Sequence, residues 1–233
     1  MKVGINIPTY DGSINFKTMS AVMMAAKTTR FSTSFFQSSL LAYSFNMMWA
    51  RTLNERESQG VTHFLLLHAD IVPENFFLDK MMSIMQSKQA DVLSVVSPIK
   101  NMTGLTSTAI ESEDPWKPHR LTLREIYDPA MDETFTHPKL LVNSGCLLVD
   151  IRKPWVNHVK FSIQDLVRKN ENGLFEATAF SEDWYFSREA RFHQARIFAT
   201  REVKIQHIGQ MEFGNDHGWG KWDKDERNGK AQL

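Results

Sequence analysis

The apolar run Phe64-Leu65-Leu66-Leu67 follows Val61-Thr62-His63 and stops abruptly at His68-Ala69-Asp70, with Pro73 close behind. A run this short and this apolar predicts a strand buried on both faces, the kind found inside an α/β sheet. Pro73 lacks the amide needed to prolong the pairing. An acidic residue just past the carboxyl end of such a strand stands where open α/β sheets bind ligands. A carboxylate there can hold a divalent cation against a phosphate.

The flanking sequence extends the pattern. Val3 to Ile7 alternates with Gly4 and Asn6 and ends at Pro8, which predicts a first strand. Thr9-Tyr10-Asp11-Gly12-Ser13 is a turn cluster. Met19 to Lys27 favours helix, and Ser32-Thr33-Ser34 weakens any long continuation. Leu41, Phe45, Met48, Trp49 and Leu53 recur near the helical period, so residues 40–57 predict a helix closed by Gly60. Pro73-Glu74-Asn75 is expected to open a helix reaching about Lys88, and Asp91 to Ser97 a strand stopped by Pro98. The order strand, helix, helix, strand, helix, strand argues for a largely parallel sheet with covering helices.

Beyond it, residues 101–139 hold Pro115, Pro118, Pro129 and Pro138 and read as a long excursion of substrate contacts or short antiparallel strands. Leu140-Leu141-Val142 and Cys146 to Val149 bracket Asn143-Ser144-Gly145. Ser181-Glu182-Asp183 opens a helix to about His193, and Arg196–Thr200 and Glu202–His207 predict two short strands. Residues 1–213 are expected to form one domain and residues 214–233, whose large apolar residues are Trp219 and Trp222, a C-terminal tail.

With 233 residues the chain can bury a substantial core. Its net charge is zero, so there is no overall basic footprint for nucleic acid or anionic lipid. The lone Cys146 cannot form an internal disulfide, and a reducing compartment is expected. It sits among apolar neighbours and reads as a buried residue more than as a nucleophile. The start has no signal-peptide core, and no stretch nears the ~20 apolar residues needed to span a bilayer. The expected location is the cytoplasm, or a host's cytoplasm, with no membrane anchor.

Three groups of residues can carry chemistry, each with a plainer reading. Asp70 could be an acid at the start of a helix, and His68 a polar strand end. Glu182 and Asp183 could simply stabilise a helix N-terminus behind the N-cap Ser181. The same position keeps a carboxylate ionised, as a general base for a hydroxyl must be. His207 at a strand end is either structural or a neutral imidazole ligand to a metal.

Taken in order, these segments resemble the GT-A-fold glycosyltransferases, especially the small inverting enzymes related to glycosyltransferase family 2. The resemblance runs from Ile7 to Gly209. It rests on Ile7-Pro8-Thr9-Tyr10-Asp11, Ala50-Arg51-Thr52-Leu53-Asn54, His68-Ala69-Asp70, Val96-Ser97-Pro98-Ile99-Lys100, Asn143-Ser144-Gly145-Cys146, Ser181-Glu182-Asp183-Trp184 and Ile205-Gln206-His207-Ile208-Gly209. It implies a Rossmann-like GT-A fold with a central, mostly parallel sheet flanked by helices. It implies that Thr9, Tyr10 and Asp11 contact the nucleoside of a nucleotide-sugar donor, UDP-sugar foremost, with Arg51, His68 and Lys100 also on the donor side. Asp70 and His207 would bind Mn²⁺ or Mg²⁺ across the diphosphate, and Asp183 would be the base, with Glu182 beside it. One departure stands out: His68 replaces the first acid of the usual Asp-x-Asp, while Asp70 keeps the last.

Two other classes compete. A nucleotidyltransferase acting on sugar phosphates would carry a glycine-rich basic loop after the first strand, which Thr9 to Ser13 is not. A non-catalytic sugar-nucleotide-binding module would have little use for Asp70, Asp183 and His207 together. The acceptor is open among a glycan, a lipid-linked sugar, a protein side chain and a hydroxylated DNA base; the missing membrane anchor disfavours the lipid, and the chain also resembles bacteriophage glycosyltransferases that decorate modified bases. For DNA, Arg188, Arg191, Arg196 and Arg201 would form a phosphate-binding surface; the plainer reading is a solvated helix face.

Overall fold

A computed structural model describes residues 1–220. Strand β1 (Lys2–Thr9) leads to helix α1 (Phe16–Met23), strand β2 (Arg30–Gln37), helix α2 (Leu41–Gln59) and strand β3 (His63–Leu67). The short β4 (Ile71–Pro73) precedes α3 (Phe77–Lys88) and β5 (Val92–Val95). Residues 101–139 then form short antiparallel strands, β6 (Leu105–Ile110), β7 (His119–Thr122) and β8 (Thr134–Phe135), with one turn of helix, α4 (Leu123–Ile126). β9 (Leu140–Leu141) and β10 (Cys146–Asp150) follow, then a hairpin of β11 (Gln164–Lys169) and β12 (Phe175–Phe180). Helix α5 (Glu182–Phe192), β13 (Ile197–Thr200), β14 (Ile205–Ile208) and β15 (Glu212–Gly214) complete the order.

The central sheet has the order β2-β1-β3-β10-β5-β13-β8. β2, β1, β3, β5 and β13 point one way, and β10 and β8 run against them. β3 is buried along its whole length, as its unbroken apolar run requires. Its even-numbered Phe64 and Leu66 pack with α2 and α5 on one face through Trp49, Phe161 and Phe186. Its Leu65 and Leu67 face α1 and α3 on the other, with Cys146 among them. The Cys146 thiol is fully buried, and burial pushes its pKa up to about 12, so it stays protonated and inert.

Gly60 ends α2 in the left-handed conformation expected of a glycine C-cap (φ 66°). The stretch around Ser32-Thr33-Ser34 is not a weakened helix but β2, parallel to β1 along eight residue pairs. Pro73 does not open a helix. It closes β4, and α3 starts at Phe77.

The chain remains part of the fold past residue 213. Asn215 is fully buried; its Oδ1 accepts from Ile205 N (2.8 Å) and its Nδ2 donates to Val96 O (3.0 Å). Trp219 stacks on Phe213. The rest of the expected tail, residues 221–233 with Trp222, lies outside the described residues.

Candidate active site

The topology gathers the sequence-predicted residues at one edge. Because β1, β3 and β5 are co-directional, their following loops leave from the same side of the sheet. Those loops carry Thr9-Tyr10-Asp11, His68-Ala69-Asp70 and Lys100. α5 runs back to feed β13, which is parallel to β5, so its first turn with Glu182 and Asp183 also lies at that edge. This is the carboxyl edge where open α/β sheets place ligands.

Asp70 is not a helix-start acid: β4 follows it directly. Its Oδ2 accepts from Lys100 Nζ at 2.6 Å and lies 3.5 Å from His207 Nε2. Burial opposes the charge on Asp70, but hydrogen bonds from His207 and Lys100 outweigh it and hold the carboxyl well below the usual carboxylate range. β14 pairs His207 with Ile71, and Ile208 N donates to Asp70 O (2.8 Å), so the strand fixes the imidazole beside the carboxylate. His207 Nδ1 meets Pro98 O at 2.8 Å. A carbonyl only accepts, so Nδ1 donates to it; Nε2 is the ring atom turned to Asp70, where it donates to the carboxylate when it carries a proton and offers its lone pair to a metal when it does not. Gly209 makes room for Lys100: a Cβ at 209 would lie 3.0 Å from Lys100 Cδ.

His68 approaches Ser144 Oγ at 3.2 Å, packs against Phe45, and donates its backbone amide to Gly145 O (2.9 Å). Burial lowers its pKa to about 4, so it is neutral at pH 7. The Asn143-Ser144-Gly145 turn thus lies directly beneath the His68 strand end.

The β1 loop is tied to the same place, because Asn15 N donates to Ala69 O (2.9 Å). Thr9 is buried, Tyr10 is largely exposed, and Asp11 accepts from Ser13 N (2.9 Å), which lowers its pKa. Arg51 is the residue that the fold does not bring in. Phe45, Met48 and Thr52 turn inward on α2, which leaves Arg51 exposed and paired with Glu55 one turn on (3.0 Å).

Asp183 forms a second pole. Ser181 places no side-chain cap on α5; its hydroxyl donates to Asp183 Oδ1 instead. Trp184 N donates to the same oxygen at 2.9 Å. Burial nevertheless raises the Asp183 pKa, against the pull of Ser181 and of Arg120. Arg120, on β7, was not signalled by the sequence: it lies 63 positions from Asp183 in an irregular stretch. Its guanidinium sits 4.4 Å over the Trp184 ring.

The poles share one scaffold. Trp184 Nε1 donates to Ser107 O (3.0 Å), Ser107 N to Ser97 O (2.9 Å), and the adjacent Pro98 O holds His207.

Glu182 is buried, and burial together with Asp183 raises its pKa to about 7. Its folded-state value lies above its unfolded one, so the folded chain binds more protons between about pH 4.5 and 7, and stability falls as pH rises through that window. Glu182→Gln is expected to remove this loss and raise stability at pH 8 by a few kcal/mol, measured by urea unfolding at pH 5 and pH 8. An unchanged pH dependence in the variant would defeat the assignment.

The four arginines expected to meet phosphate are engaged by partners within the protein. Arg188 and Arg191 both pair with Glu111, Arg196 lies by Asp91 and Gln89, and Arg201 packs over Tyr127 near Glu133. Arg191 and Arg196 line one cavity, so these two do share a stretch of surface.

Among known structures the chain is similar, at a TM-score of 0.57 and 12% identity, to A197 from STIV, with 100% of this chain and 99% of that one covered. This is the GT-A fold. The chain is also similar to S. aureus TarS residues 1–349 (TM-score 0.46, 14% identity, 87% of this chain and 58% of that one). A putative UDP-N-acetylglucosamine pyrophosphorylase from Entamoeba histolytica compares at TM-score 0.46 and 10% identity, covering 97% of this chain and 78% of that one. No family model and no curated protein matches the sequence. Among the described residues no helix is long and apolar enough to cross a membrane.

Proposed function

We propose that the protein is a glycosyltransferase that moves a sugar from a nucleoside-diphosphate donor, foremost a UDP-sugar, to an acceptor hydroxyl with inversion. The observation that carries this reading is the pairing of two poles on one sheet edge: Asp70 with His207 and Lys100, and the half-buried Asp183 with the buried Glu182.

The first pole suits a diphosphate. Breaking the sugar–phosphate bond leaves extra negative charge on the departing nucleoside diphosphate. The Lys100 ammonium is close enough to Asp70 to exchange that carboxylate for a phosphate oxygen. Among the described residues no three His, Cys, Asp or Glu side chains cluster as a complete metal cage. A carboxylate and an imidazole beside each other are still a fitting donor pair for Mn²⁺ or Mg²⁺ whose other ligands come from the substrate. Asp70 and His207 would hold that ion, which would offset charge on the leaving group. Thr9, Tyr10 and Asp11, on the loop anchored to Ala69, fit the nucleoside end of the donor.

The second pole suits the acceptor. Burial raises the Asp183 pKa and so makes it a stronger base than a free carboxylate, and Ser181 and Trp184 fix one carboxylate oxygen so that the other can take the hydroxyl proton. Attack on the anomeric carbon from the side opposite the diphosphate inverts its configuration.

The test is a panel of nucleotide sugars, with and without Mn²⁺, assayed for nucleoside diphosphate. Slow Mn²⁺-dependent UDP release from one donor is the expected result. Turnover only with a nucleoside triphosphate and a sugar phosphate would instead identify a nucleotidyltransferase, and tight UDP-sugar binding with no turnover a binding module.

A further inference from the structure

A cavity of about 350 Å³ is lined by chain neighbours of both poles: Ile99 and Asn101 flank Lys100, and Trp184 follows Asp183. On the glycosyl-transfer reading above, on which this inference rests, a pocket framed by neighbours of the donor-side lysine and of the base is the place for an accepting hydroxyl.

The wall has a definite chemistry. Trp116 supplies aromatic surface, Trp184 lies buried behind the Arg120 guanidinium, and Asn101 and Thr103 supply amide and hydroxyl groups. Asn101 Oδ1 accepts from Thr103 N (3.0 Å), which leaves its amide hydrogens to donate elsewhere. Aromatic surface with a few placed polar groups is how proteins hold a sugar ring. The charged residues of the wall are Lys117 and Arg120, and among the described residues no Asp or Glu lines it. Lys117 is exposed, and its backbone amide, bonded to Asp114 O (3.0 Å), fixes the turn that presents it.

We infer that this cavity is the acceptor subsite and that the acceptor is an anionic carbohydrate, a sugar or polyol bearing a phosphate or carboxylate close to the hydroxyl that reacts. The ring rests on Trp116 and Lys117 meets the anion. A DNA strand fits less well. It is a polyanion that needs many cations along its path, whereas Arg188, Arg191, Arg196 and Arg201 are internally paired and the chain has no net positive charge.

The test uses the full chain and ligand-observed NMR with matched probes: glucose against glucuronate, glucose against glucose 6-phosphate, ribitol against ribitol 5-phosphate, and a single-stranded oligonucleotide containing 5-hydroxymethylcytosine. The anionic member of each pair is expected to bind about ten-fold tighter, the order of one charge-assisted hydrogen bond. The glucuronate and phosphate arms separate the two anions. Lys117→Gln should abolish the preference, and Trp116→Phe should weaken neutral and anionic members alike. Equal binding within the pairs, a preference that survives Lys117→Gln, binding of the oligonucleotide alone, or no binding by any probe would each overturn the inference. UDP binding, followed separately by calorimetry, reports on the donor reading, so the two failures are distinguishable.

Discussion

Asp183→Asn is expected to lower glycosyl transfer by about 10³-fold, within the range for a lost general base. Asparagine keeps the shape of the carboxyl group and can still accept from Ser181 and Trp184, so the first turn of α5 should persist. The half-buried carboxylate also costs stability when ionised, because desolvation raises its pKa. The variant should therefore melt no lower than the parent at pH 8. The pH profile carries the more specific result. The parent loses activity as pH falls through the raised Asp183 pKa, since the base is then protonated. In the variant that acid limb should disappear from the residual rate. A rate within about three-fold of the parent, or an acid limb that survives, would remove Asp183 from the role of base. Retention of configuration in the product would remove it as well.

The positions of Asp70, His207 and Lys100 were legible in the sequence for a physical reason. Asp70 and Lys100 follow β3 and β5, and the ends of co-directional strands converge on one edge; His207 reaches the same place through the antiparallel pairing of β14 with β4. Asp183 was legible because its helix leads into a parallel strand. Facing was not. The motif around Arg51 identifies a helix, but the side turned to the sheet is decided by where Phe45, Met48 and Thr52 find burial, and that leaves Arg51 outside. The arginines of α5 look free in sequence because their partner Glu111 is 77 and 80 residues away. β2 escaped because it is an edge strand: only part of its surface is covered, so its apolar alternation is weak and its serines look like helix breakers. Arg120 and Trp116 had no signal at all. Their place beside Trp184 depends on how the short strands of residues 101–139 pair, which no local pattern encodes.

Asp70→Asn tests the opposite pole, with an expected loss of about 10³-fold in Mn²⁺-dependent UDP release, comparable to removing one preorganised electrostatic group. The pair with Lys100 is more than a third exposed on both sides, so its removal should cost the fold little. The decisive readout is ion binding without turnover. In the present arrangement Lys100 Nζ occupies Asp70 Oδ2, the oxygen that His207 Nε2 also faces. A divalent cation taking that oxygen must compete with a tethered ammonium. Mn²⁺ affinity, measured by electron paramagnetic resonance in the absence of donor, should therefore fall in Asp70→Asn and rise in Lys100→Met. With UDP bound the order should reverse for Lys100→Met, because the ammonium, released from Asp70, is then the group that meets the diphosphate. A lysine that merely braced the fold would move neither number in this pattern. Unchanged Mn²⁺ affinity in Asp70→Asn would show that the carboxylate is no ligand, and the charge on the leaving group would then fall to Lys100.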